Sequence, residues 1–140
     1  MIQNNNFSET YHSERQTREH ILVCLSSAPS NLRIVQTGAR MSEAFHGTLT
    51  ALYVQTPDHS SMSEEDQSRL KEHMRLAEQL GASIETVYGD DVSYQIAEFS
   101  RLNNITKIVL GRSNIQRRHL WGKPSLTEKL TEIAPNLDIY

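Results

Sequence analysis

A single cysteine, Cys24, stands in the 140 residues, so no disulfide can close within the chain, and the count points to a reducing compartment. No apolar run reaches the roughly 18 residues that span a bilayer. The opening MIQNNNFSETYHSERQTREH lacks the apolar stretch of a secretory signal. Excess positive charge is missing too: 14 basic against 17 acidic side chains leave a formal charge of -3, which argues against a dedicated nucleic-acid binder. Neither a Gly-x-x-x-x-Gly-Lys-Ser/Thr loop nor a Gly-x-Gly-x-x-Gly turn occurs. The six histidines are scattered without metal-site spacing, and no nucleophile–base or carboxylate pair stands out. The reading is therefore a soluble cytoplasmic domain with no metal and no catalytic residues of its own.

What is present is an alternation of apolar runs and amphipathic stretches. Residues 1–19 are polar, with three consecutive asparagines, and read as a leader or linker; residues 20–140 read as one domain. Ile21 to Leu25 is a continuous apolar run, as a strand covered on both faces requires. Ser26 to Asn31 carries turn and helix-start signals, with the serines as expected caps. A helix follows over 31–46, with Leu32, Val35, Ala39, Ser42 and Phe45 as its inward side. Leu49 to Val54 is a second strand. The next helix turns Leu70, Met74 and Ala77 inward, with Leu76 and Leu80 beside them, and stops at Gly81. Its Glu72-His73 pair is read as exposed. Ser83 to Tyr88 is a more polar strand, placed at an edge. Asp90 or Asp91 caps a helix facing Val92, Ile96 and Phe99 inward. Lys107 to Gly111 is a fourth strand, Leu126, Leu130 and Ile133 mark a short helix, and Leu137 to Tyr140 begins a fifth strand. Because that strand runs to the last residue, the chain is expected to be a piece of a longer one.

Strand and helix alternating in this way give an α/β domain: a doubly wound, five-stranded parallel sheet joined by right-handed crossovers. Ligands in such sheets sit beyond the carboxyl ends of the strands. That rule selects Ser26 to Asn31, Val54 to Pro57 and Gly111 to Ser125. The last segment holds three arginines, one lysine, one histidine and the only tryptophan, with no acid among them. It reads as an anion site or as a docking surface, the plainer account being a solvated loop. Ser125 stands where a helix start would present free N–H groups.

Arg18 to Cys24, Thr50 to Pro57, Ala77 to Gly81, Gly89 to Val92 and, above all, Asn104-Ile105-Thr106-Lys107-Ile108-Val109-Leu110-Gly111-Arg112-Ser113 together resemble a known family. The likeness is to the universal stress protein fold, in the version found in KdpD-type potassium-sensing histidine kinases, and it covers Arg18 to Tyr140. ATP-binding members carry Gly-x-x-Gly, nine residues, then Gly-Ser/Thr after strand four. In that register this chain has Gly111, Asn114 and Pro124-Ser125, so two glycines are replaced; Asn114 adds a side chain and Pro124 removes a donor. The family's acidic residue after strand one is Ser26 here, while its strand-two valine is Val54. Some KdpD members carry Ser-x-Ser, twenty residues, then Phe-Thr-Ala-x-Tyr for cyclic di-AMP. The spacing is kept here with Ser26, Thr50, Ala51 and Tyr53, whereas Ala28 and Leu49 depart from it.

The resemblance thus implies a regulatory sensor domain that binds an adenine nucleotide, cyclic di-AMP ahead of ATP. Ser26, Ser27, Thr50, Ala51, Tyr53 and Val54 would lie on the base and ribose side. Gly111, Arg112, Ser113, Arg117, Arg118 and Ser125 would hold phosphate. Implied partners are the nucleotide and other domains of a membrane-anchored parent kinase; a homodimer stays open. An alternative is a docking module whose basic loop contacts protein and takes no small ligand. The third reading, a free-standing ATP-hydrolysing protein, sits poorly with Asn114 and Pro124.

Overall fold

The computed structural model describes residues 18–111 and 125–140. Among them the sheet is five-stranded, in the order β3-β2-β1-β4-β5, and every pairing is parallel. Strand β1 is His20–Cys24, helix α1 Asn31–Ala44 and strand β2 Thr48–Gln55. A 3-10 turn, Pro57–Ser61, leads into α2, Glu64–Gln79. Then come β3 (Ser83–Tyr88), α3 (Val92–Leu102), β4 (Lys107–Val109), α4 (Leu126–Ile133) and β5 (Asp138–Ile139).

The apolar run of β1 divides by its pleat, because successive side chains point to opposite faces. Ile21, Val23 and Leu25 pack with Val35 of α1 and with Leu70 and Ala77 of α2. Leu22 packs the other way, with Ile96 of α3 and Leu130 of α4. The sheet is therefore covered on both sides, as a central parallel strand requires. Strand β3 is at the edge, as its polar composition led one to expect, and no residue of it is fully buried.

Local chemistry sets most of the boundaries. The side chains of Ser63, Asp91 and Ser125 accept the amides of Asp66, Tyr94 and Glu128, capping α2, α3 and α4. Three acids in the first turn of α2 complement the helix dipole there. Gly81, at φ 95, ends α2 in a conformation that glycine adopts without strain. Close approach matters at Gly38: a Cβ there would overlap Val23 Cγ1, so the glycine lets α1 lie down on β1.

Several expected inward positions lie elsewhere. On α1 the buried residues are Asn31, Val35 and Gly38, while Leu32 and Phe45 are 44 and 47 % exposed. Asn31 is drawn inward by its own hydrogen bonds, which rotates Leu32 out. Phe45 is the C-cap, and its ring lies 5.1 Å from Lys107 Nζ, a cation–π distance. Leu80 and Ile133 are also exposed, each at the C-terminal end of its helix. The reading of His73 as a surface residue is overturned, since it is 5 % exposed. It shares the inward phase of Leu70 and Ala77, three and four residues away.

Candidate functional site

Strand order reverses between β1 and β4: the chain builds β2 and β3 on one side of β1, then crosses to lay down β4 and β5 on the other. A cavity of about 450 Å³ lies at the carboxyl ends of β1, β2 and β4, at that crossing point. The chain enters it through Cys24 and Leu25, whose N–H still donates to Leu52 O at 2.8 Å, and then turns away from the sheet.

Asn31 shapes this turn. Its amide nitrogen donates to Cys24 O at 2.8 Å, and its Oδ1 accepts the Ser26 N–H at 3.1 Å. Ser26 Oγ in turn accepts the Ala28 N–H at 3.3 Å. The serines do not cap α1 as the sequence led one to expect: Ser30 is in the helical region of backbone space and its side chain caps nothing. With Asn31 already holding the backbone groups of the turn, the helix starts from within.

Helix α2 grips the same turn from outside. Arg69 Nη1 donates to Ser27 O at 3.1 Å, and His73 Nδ1 lies 2.8 Å from Ser26 O. A carbonyl only accepts, so Nδ1 of His73 carries the proton. Arg69 and His73 are one helical turn apart and hold two consecutive carbonyls. Arg69 also pairs with Asp66 at 3.2 Å and Glu65 at 3.1 Å, which fixes its guanidinium in place. Of these three, Arg69 was not singled out from the sequence, His73 was read there as exposed, and Asn31 entered only as the end of the Ser26 to Asn31 turn. The phase of His73 was the available signal; for Arg69 and Asn31 nothing local distinguishes them from surface or turn residues.

On the β2 side, the Tyr53 hydroxyl meets His59 Nδ1 at 2.7 Å and lies 3.7 Å from Met62 Sδ. Burial raises the Tyr53 hydroxyl above its ordinary pKa, so it remains a neutral donor and acceptor. Burial likewise pushes the Cys24 thiol, also on the cavity wall, up to about 12.

Of the residues proposed from the sequence, Ser26, Ser27, Tyr53, Val54 and Gly111 line the cavity together. Thr50 and Ala51 do not. Thr50 pairs in mid-sheet with Leu22 and Ser83, and Ala51 is fully buried in the core beneath α1 and α2. A strand rises about 3.3 Å per residue, so Ala51 lies about 7 Å short of Tyr53. Ser125 is buried as the cap of α4, and its neighbours Leu126 and Thr127 reach the wall. Arg112, Ser113, Arg117 and Arg118 lie outside the described residues. So do the other residues of 112–124; Gly111 before them and Leu126, one residue past Ser125, line the cavity. Among the described residues no group of three His, Cys, Asp or Glu could hold a metal ion, and no helix is long and apolar enough to cross a membrane.

No protein-family model matches the chain. Among curated proteins it is 35% identical over 127 residues to Sensor protein KdpD of Clostridium acetobutylicum, covering 89% of this chain and 14% of that protein. It is 30% identical over 122 residues to Sensor protein KdpD of Escherichia coli, covering 87% and 13%. The chain thus spans about a seventh of these relatives. Among solved structures, a universal stress protein in complex with cAMP superposes with a TM-score of 0.68 at 16% identity, over 89% of this chain and 95% of that one. UspA from Lactobacillus plantarum gives 0.67 at 21% identity, over 87% and 95%. The universal stress protein of Archaeoglobus fulgidus in complex with dAMP gives 0.54 at 17%, over 88% and 96%. In sequence the match is to one segment of the sensor proteins, and in architecture to the stress proteins. The chain corresponds in sequence to one domain of KdpD sensor proteins and has the universal stress protein fold.

Proposed function

We propose that this domain is the cytoplasmic ligand-sensing module of a potassium-responsive sensor histidine kinase, and that the 450 Å³ cavity binds an adenine nucleotide, cyclic di-AMP in preference to ATP. The observation that carries the reading is the position of the cavity. It opens at the carboxyl ends of the strands where their order reverses, and Ser26, Ser27, Tyr53, Val54 and Gly111 converge on it. Structures of the same fold hold cAMP and dAMP, which supports an adenine ligand.

The base and ribose would lie between Tyr53 and Val54 on one side and the Ser26–Ser27 turn on the other. Of the charged side chains on the described wall, Asp66 and Arg69 already neutralise one another. Phosphate charge would be met by the segment between Gly111 and Ser125, with Arg112, Arg117 and Arg118 as its donors. The preference for cyclic di-AMP rests on the retained spacing of Ser26 and Tyr53 and on the loss of two phosphate-loop glycines at Asn114 and Pro124. A ligand bridging the β1 turn and the basic segment would bias the parent kinase, provided the two signalling states bind it unequally.

The unrelieved positive charge between Gly111 and Ser125 equally fits a docking loop for an acidic protein surface. Calorimetric titration of cyclic di-AMP and ATP separates the readings. Saturable binding of cyclic di-AMP, weakened in both Ser26→Ala and Arg117→Ala/Arg118→Ala, is the expected result. A folded chain that binds neither nucleotide leaves docking as the account.

A further inference from the structure

A second cavity, of about 740 Å³, lies at the opposite end of the sheet and shares no lining residue with the first. It is walled by the second half of α3, the chain entering β4, and the Ala134–Asp138 connection between α4 and β5. Ala97, Ile105, Ile133 and Leu137 make much of this wall apolar, and Tyr94 and Ile133 on its rim are largely exposed.

Ser100, on α3, also lines it. The residue is 2 % exposed, and its Oγ is the one buried side-chain N or O atom without a hydrogen-bond partner among the described residues. Helical serines ordinarily return their hydroxyl to a carbonyl one turn back or give it to solvent, and buried polar atoms are seldom left unpaired. Every charged group around the cavity, by contrast, is paired. Glu98 is bonded to Arg101, and Lys107 lies 3.0 Å from Asp138 and 3.9 Å from Glu19. Glu19 also accepts from Thr106. Three carboxylates stand against two bases, so nothing in the wall calls for an anion.

We propose that this cavity is a second ligand site, for a neutral, mainly apolar molecule that carries one hydrogen-bonding group for Ser100. Its chemistry is opposite to that of a nucleotide, and the inference stands whether or not the first cavity binds one.

The probes are 2-naphthol and naphthalene-2-sulfonate, the same rings without and with a charge, titrated into the full isotope-labelled chain by nuclear magnetic resonance. Expected are saturable shifts from 2-naphthol centred on Ser100, Ile105 and Leu137, and at least tenfold weaker binding of the sulfonate. Ser100→Ala should weaken 2-naphthol by about three- to tenfold, the value of one hydrogen bond, without lowering the melting temperature, since no protein bond is lost. Ala97→Phe, which fills the wall, should abolish binding in a chain whose spectrum is otherwise unchanged. Absence of saturable shifts in the wild-type chain, equal binding of both probes, or binding indifferent to Ser100→Ala and Ala97→Phe would each overturn the proposal.

Discussion

Replacing Asn31 by alanine tests the architecture of the first site most severely. The side chain is buried and satisfies two backbone groups at once, the Cys24 carbonyl and the Ser26 N–H. Its removal leaves both without a partner. A buried polar group stranded in this way costs about 1–3 kcal/mol. The Cys24 carbonyl closes the end of a core strand and belongs at the upper part of that range. The Ser26 N–H borders the cavity, where water can reach it, and belongs at the lower part. The loss is thus about 2–4 kcal/mol, a large share of the stability of a domain of this size. With a urea slope of about 2 kcal/mol/M, the unfolding midpoint falls by about 1–2 M at unchanged slope. Asn31→Asp is the matched control: its carboxylate still accepts from Ser26 but has no proton for Cys24 O. The folded state then favours the protonated acid, so this variant's penalty is relieved as the pH falls through the carboxyl range and returns as it rises. A midpoint shift worth less than about 0.5 kcal/mol for Asn31→Ala, the scale of an ordinary surface change, would refute the reasoning.

Other consequences are measurable in the same preparation. With its thiol pushed up to about 12 by burial, Cys24 should react with a disulfide reagent at mildly alkaline pH far more slowly than a free thiol, and at the free-thiol rate in urea. Asp91 is held below its usual pKa chiefly by the Ser93 hydroxyl, and Glu98 chiefly by Arg101. Their contributions are complete above the ordinary carboxylate range and are lost as the pH falls through the depressed values, so Asp91→Asn should flatten the acid limb of a stability–pH curve. Lys107 is raised, chiefly by its bond to Asp138. Its contribution is complete below the ordinary lysine range and is lost as the pH climbs through the raised value, so Lys107→Met should flatten the alkaline limb. Gly38→Ala sets a helix-propensity gain of about 1 kcal/mol against overpacking of about 3 kcal/mol where the new methyl meets Val23. Thermal denaturation should show a net loss of about 2 kcal/mol.

The architecture was legible because its signals are local and repeated. The apolar run of β1, the polar edge strand β3, the stop at Gly81, the cap at Asp90 or Asp91 and the helix start at Ser125 each carry their own chemistry, and their order dictates a parallel sheet. Residues whose roles depend on distant partners were not legible. Arg69 and His73 act on carbonyls 42 and 47 residues away in sequence. Asn31 looks like any turn asparagine until the end of β1 is placed beside it. Leu32 and Phe45 were assigned inward by hydrophobicity, but a buried asparagine took the inward phase. Thr50 and Ala51 illustrate a different limit. Motif spacing groups them with Tyr53, but only register shows that they sit in mid-sheet while Tyr53 reaches the cavity. The arginines of the basic segment, Arg112, Arg117 and Arg118, lie outside the described residues.

The account stands or falls on where a nucleotide binds. Cyclic di-AMP titrated into the isotope-labelled chain should shift the amides of Ser26, Ser27, Tyr53, Val54, Gly111 and Leu126, which surround the first cavity, and leave those around Ser100 and Leu137 unmoved. Saturable shifts centred anywhere else in the chain, or a spectrum unchanged at millimolar nucleotide, would contradict it.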